Sequence, residues 1–146
     1  MTATFDGLGF KFLYPEGWDL QKEETGDWPR TVSVHSPTGA FVSMTLYERP
    51  DAPTDLLDKT LAALRDEYSD AEIYRIASSV PGFEHQDTYE ANYYCLDFLV
   101  TARVCQFEAG DFVLLTMYQG ESRDFDKLVP VFDAIVMNSI TNFAKH

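Results

Sequence analysis

Basic residues are scarce in this sequence: eleven Lys and Arg stand against twenty-four Asp and Glu, leaving a formal charge of −13. A chain of that sign repels a phosphate backbone, and nucleic-acid affinity rests on basic side chains that release the backbone's counterions. No basic stripe interleaved with aromatics compensates, so nucleic acid is not an expected partner. The acidity points to solubility or to a basic protein partner. Long apolar runs are missing too: nowhere do some 18 apolar residues follow one another, so no membrane-spanning helix is expected. The amino terminus, MTATFDGLGF, has no basic residue before Lys11 and no apolar stretch of signal length. It reads as neither a signal nor a transit peptide, and the chain reads as soluble and cytoplasmic.

Cysteine is nearly absent. The two that occur, Cys95 and Cys105, lie in YYCLDFLVTARVCQF, residues 93–107, which holds no Gly, Pro or Asn to reverse the chain between them. Read as one long strand, the segment sets them about 33 Å apart, whereas a disulfide needs Cα atoms roughly 5.5 to 6 Å apart. They are expected as buried small hydrophobes in a reducing compartment. The usual catalytic signatures are also missing: Gly-x-Ser-x-Gly, a Gly-rich phosphate loop, Cys-x-x-Cys and His-Glu-x-x-His. His35, His85 and His146 are scattered. No cofactor is expected.

What is present is a core. Hydrophobic residues make up 45% and aromatics 14% of 146 residues, enough for one domain, 1–146, that buries roughly 68 to 70% of its unfolded surface. GFKFLYPEGW alternates Phe10, Phe12 and Tyr14 and then turns through Pro15 and Gly17. A second strand reaches about Glu23, the loop ETGDWPR reverses the chain, and TVSVHS and AFVSMTLYE follow as alternating strands. TDLLDKTLAALRDEY then carries Leu57, Leu61, Leu64 and Tyr68 at helical spacing, with Thr54 placed to cap it. AEIYRIASSV and FEHQDTYEA return to period two, and the second sets Glu84, Gln86, Thr88 and Glu90 on a face polar enough for water. The long strand and FVLLTMY complete a four-strand meander. In the last segment Phe125, Leu128, Phe132, Ile135 and Ser139 recur at helical spacing, and Pro130 predicts that the main helix begins or kinks there. The order predicts an α+β fold with an antiparallel sheet covered by helices.

GFKFLYPEGW, the strand before the helix LLDKTLAALRDEY, the long strand and FDKLVPVFDAIVMNSI together resemble the Mog1/PsbP-like superfamily, whose bacterial members include DcrB-type proteins and the Eag chaperones of type VI secretion. The resemblance implies a six- or seven-stranded antiparallel sheet flanked by helices in an α/β/α sandwich. It also implies binding and assembly work without a shared catalytic constellation: Mog1 binds the GTPase Ran, PsbP binds photosystem II, and Eag proteins hold effector segments. The sequence departs from the PsbP and DcrB branches in showing no leader and no lipobox cysteine. None of the family's partner-contact residues maps onto a position here.

Three functional readings follow. The first is a non-catalytic protein-binding or adaptor domain. The second is an Eag-like chaperone holding an apolar helix against the sheet. The third is a small metal-dependent or acid/base enzyme built on His85 and Asp87, with Asp97 as a possible third member; it requires these groups to meet in one pocket. Asp97 itself, placed on a strand face with Cys95, Leu99, Thr101 and Arg103, is either a half-exposed or Arg-paired carboxylate, or a ligand or partner contact. Trp28 in its polar loop is either an interface anchor or a lid on the core, and Tyr93 and Tyr94 present the same choice. Two helices of roughly 16 residues cannot cover both faces of so long a sheet, so an open sheet surface bordered by Trp28, Tyr93 and Tyr94 is expected to receive the partner.

Overall fold

The computed structural model describes residues 1–23 and 26–143; Glu24 and Thr25 of the ETGDWPR loop, and His146, lie outside them. Five strands precede the first helix: β1 (Thr2–Gly7), β2 (Phe10–Pro15), β3 (Asp19–Lys22), β4 (Arg30–His35) and β5 (Phe41–Glu48). The first helix, α1, spans Leu56–Glu67; β6 (Glu72–Ile76), β7 (Thr88–Cys95), β8 (Phe98–Ala109) and β9 (Phe112–Glu121) follow, and α2 spans Ser122–Phe143. Seven strands form one antiparallel sheet in the order β3-β4-β5-β9-β8-β7-β6, while β1 and β2 pair with each other alone.

Alternation decides the layers. In β4 and β5, Val32, Val34, Val42, Met44 and Leu46 are all buried, and the residues between them are half-buried. The buried set joins Phe10 and Phe12 of β2 and Phe125, Phe132, Ile135, Val136 and Phe143 of α2 in the main core. The β1–β2 hairpin is clamped to α2 by two asparagines: Leu13 N donates to Asn138 Oδ1 at 2.8 Å, and Asn142 Nδ2 donates to the Lys11 carbonyl at 2.6 Å. Gly120 of β9 lies so close to Ala40 that a Cβ there would come within 2.7 Å of the alanine methyl.

On the other side of the sheet α1 lies over β7 and β8, where Leu61, Leu64, Ala91, Tyr93, Ala102 and Val104 form a second, smaller cluster, with Ile73 of β6 and Leu115 and Met117 of β9 packed against it. Helices therefore flank both faces. Over β4 and β5 the same face is left partly open, showing Thr31, Ser33, His35, Phe41, Ser43 and Thr45. Among the described residues, no helix is long and apolar enough to cross a membrane.

Four local expectations are corrected. Residues 93–107 are not one strand: the chain reverses at Leu96 and Asp97, with Cys95 and Phe98 as the last cross-strand pair, so Cys95 is exposed beside the turn and only Cys105 is buried. Leu96 takes a left-handed φ of 56° there, the conformation that Gly or Asn adopts at least cost. FEHQD is loop, because β7 starts only at Thr88. Thr88 does not face water; it is buried with its hydroxyl 2.9 Å from Cys105 Sγ, and Glu90 is half-buried against Arg103. Finally, α2 does not begin at Pro130: it starts eight residues before the proline and continues past it. Phe125, fully buried in that first stretch, supplies packing that outweighs the missing donor of an exposed proline. β1, which the sequence did not announce, is paired by a tight turn at Leu8 and Gly9, both with positive φ.

Candidate functional site

The β7–β8 hairpin outruns its neighbours. β6 begins at Glu72 opposite Asn92, and β9 ends at Glu121 opposite Val100. Beyond those pairs, residues 93–99 run on as a two-stranded hairpin with three residues on the β7 arm (93–95) and two on the β8 arm (98–99), or about 7–10 Å. Its root is pinned from both sides. Ser122 Oγ, at the start of α2, donates to the Leu99 carbonyl at 3.1 Å and shares a 2.8 Å hydrogen bond with Thr101 Oγ1. Asp70 Oδ2, just before β6, accepts from the Tyr94 amide at 3.4 Å.

The projection is apolar on both faces. Tyr94 and Leu99 are opposite each other on the α2 face, Cys95 and Phe98 on the α1 face, and Leu96 sits at the end. Leu96 is 90% exposed, Tyr94 63%, Phe98 62% and Leu99 38%, four of the seven large apolar side chains exposed among the described residues. A strand with one wet face keeps polar residues on that face, so apolar residues on both faces of a projecting hairpin mark a contact surface and not a sheet turned toward its own core. Carboxylates stand around it. Asp97 occupies the turn and is exposed, Asp70 holds the Tyr94 amide, and Glu67 ends α1 close enough to help raise the phenol of Tyr93 after burial and Tyr68 have done so. Arg123 is paired with Glu121 at 3.7 Å.

The four sequence candidates do not come together. Tyr94 and Asp97 lie on the projection. Tyr93 is 1% exposed and stacks on Tyr68 at a ring separation of 3.8 Å, beneath the end of α1. Trp28 is half-buried, stacked on Phe112 at 5.7 Å with the Arg30 guanidinium 4.2 Å above its ring. Phe112 opens β9 and Glu121 closes it by the hairpin, so Trp28 and the projection are at opposite ends of that strand, roughly 30 Å apart. His85 is exposed in a loop, and Asp87 pairs with Arg75 at 2.7 Å. Asp87 and Asp97 flank opposite ends of β7, and among the described residues no three His, Cys, Asp or Glu are grouped to hold a metal ion.

One polar network was not anticipated. Arg103 on β8 meets Glu90 at 3.3 Å and donates to Ser79 Oγ at 2.9 Å; Ser79 and Tyr118 each donate to Asp133 of α2, at 2.6 and 2.7 Å. Burial first, and then the Asp133 carboxylate, push the Tyr118 phenol well above its usual range. The cavity beside these groups is only about 10 Å³, the room of a single water at most. It ties α2 to the sheet and has no space for a substrate. The sequence signal was Asp133 itself, an acid set among the buried apolar positions of a helix.

No family model and no curated protein matches the sequence. In structure the chain is similar to cyanobacterial PsbP (CyanoP) from Synechocystis sp. PCC 6803, with a TM-score of 0.55 and 15% identity over 94% of this chain and 90% of that one. It is also matched to PA94, a protein of unknown function from Pseudomonas aeruginosa, with a TM-score of 0.48 and 13% identity over 93% and 94% of the two chains. The fold is Mog1/PsbP-like, as the sequence resemblance implied. Identity this low carries the fold and nothing further.

Proposed function

We propose that this chain is a non-catalytic protein-binding or adaptor domain whose contact element is the β7–β8 hairpin. The observation that supports it is the exposure of Tyr94, Leu96, Phe98 and Leu99 together on an element that projects beyond both neighbouring strands. A large apolar cluster in water is costly unless another surface covers it. The fold agrees with the binding roles that the Mog1/PsbP resemblance implies. The chaperone reading needs an apolar open sheet face, and the face that α1 leaves uncovered is instead rich in hydroxyls at Thr31, Ser33, Ser43 and Thr45, with Thr31 and Thr45 hydrogen-bonded across the strands at 3.1 Å.

The test pairs capture with folding. Leu96→Ser combined with Phe98→Ser is expected to keep the melting temperature and to lose a protein partner that the unaltered chain recovers from native cells. Equal recovery by both forms would sink the proposal.

A further inference from the structure

Resting on the binding role proposed above, we infer that the hairpin inserts end-on into a concave apolar pocket of a protein whose rim carries Lys or Arg. The shape comes from the register. A flat docking patch offers one apolar face, but this element offers two faces and an end, with Tyr94 and Leu99 behind, Cys95 and Phe98 in front and Leu96 at the apex. Only a pocket that closes round the projection covers all three, to a depth of about 7–10 Å set by two or three residues per arm. The apex adds a second observation. Leu96 holds a left-handed φ of 56° while 90% exposed, so neither folding nor turn geometry accounts for leucine there. Strain of this kind collects at functional positions.

Charge selects among the possible occupants. Glu67 and Asp70 stand at the root and Asp97 in the turn, and Arg123, next to Ser122 at the root, is paired with Glu121. An anionic lipid surface is repelled by such a root, and a second copy brings the same carboxylates and another formal charge of −13. Basic residues at the rim meet Glu67 and Asp70 at the root, and Asp97, beside Leu96 in the turn, calls for a Lys or Arg at the pocket floor as well; complementarity of that kind fixes orientation and speeds encounter.

The experiment places the photo-crosslinking residue p-benzoylphenylalanine at position 98 of the full chain in its native cells and maps the crosslinked peptide by mass spectrometry. Expected is one protein, crosslinked at an apolar segment flanked in its own surface by Lys or Arg. With that protein purified, Leu96→Ser should weaken binding by roughly 30-fold, the scale of losing a central anchor. Asp70→Asn with Asp97→Asn, which preserves shape and the Tyr94 contact, should weaken binding severalfold and flatten its salt dependence. Crosslinking to a second copy, or sedimentation with phosphatidylcholine–phosphatidylglycerol vesicles that Leu96→Ser abolishes, overturns the inference. If Leu96→Ser abolishes protein binding while the double Asn variant binds as well or better, the basic rim falls and the binding role stands. If Leu96→Ser leaves binding unchanged, both fall.

Discussion

Tyr93 and Tyr94 are consecutive, yet one is buried in a 3.8 Å stack on Tyr68 and the other is 63% exposed beside Leu99. Strand alternation explains the difference in face. The place where β6 stops explains why the outer face is bare. The pair marks the boundary between a hairpin that belongs to the sheet and a hairpin that leaves it.

Leu96→Gly separates fold from function. Glycine relieves the left-handed backbone, so stability is expected to hold or to rise by up to about 1 kcal/mol, and thermal unfolding reads this directly. Partner capture should fall at the same time. A lower melting temperature would show that the leucine packs in the folded chain.

Trp28→Ala tests the other end of β9. The indole is half-buried and stacked on Phe112, so the loss should be measurable by urea unfolding but smaller than the about 3–5 kcal/mol of a fully buried tryptophan. Binding through the hairpin should not change. A binding defect without loss of stability would move the interface to the Trp28 loop.

The two thiols should behave differently. Cys95 is exposed and Cys105 buried, so a thiol reagent should modify one cysteine in the folded chain and the second only on unfolding. Burial pushes the Cys105 thiol up to about 11 from 9.0, against the lowering effect of the Thr88 hydroxyl. A raised thiol pKa favours the neutral form in the fold: its contribution is fully present below pH 9 and is lost as the pH rises from 9 through 11. Denaturant midpoints should therefore decline above pH 9, and Cys105→Ala should remove that part of the slope. An unchanged slope would mean that the thiol titrates alike folded and unfolded.

Gly120→Ala should destabilise the chain by about 1–3 kcal/mol, since the new methyl meets Ala40 at 2.7 Å. Ala40→Gly in the same chain should restore much of the loss. A double-mutant cycle in denaturant measures the coupling, and additive effects would contradict the close approach.

Much of this architecture was legible because period and packing agreed: Val32, Val34, Val42, Met44 and Leu46 alternate and are buried, and Leu61 and Leu64 face the sheet at helical spacing. The failures fall where a local rule yields to a longer-range one. Only Asp97 hints at the reversal, which the pairing of eight cross-strand neighbours on each arm imposes. Pro130 discourages a helix that Phe125 and Phe132 hold in place. FEHQD alternates like a strand but is loop, held by Phe83 packing edge-on to Phe107 at 5.5 Å. Of the candidate site, Tyr94 and Asp97 were named from sequence. Leu96, Phe98 and Leu99 were not, because an apolar residue inside an assumed strand gives no sign of being bare.

The two apolar clusters on opposite faces of the sheet share no buried residue. The smaller one, under α1, can open as a cooperative unit while the larger stays closed, and local openings draw on the least buried part of a structure. Tyr93 belongs to that smaller cluster, so the hairpin's root is set in the half of the molecule that breathes more readily. Amide exchange should be faster through α1 and β6 than through β5, β9 and α2. Engagement of the hairpin should slow it first in α1, a helix that the partner need never touch.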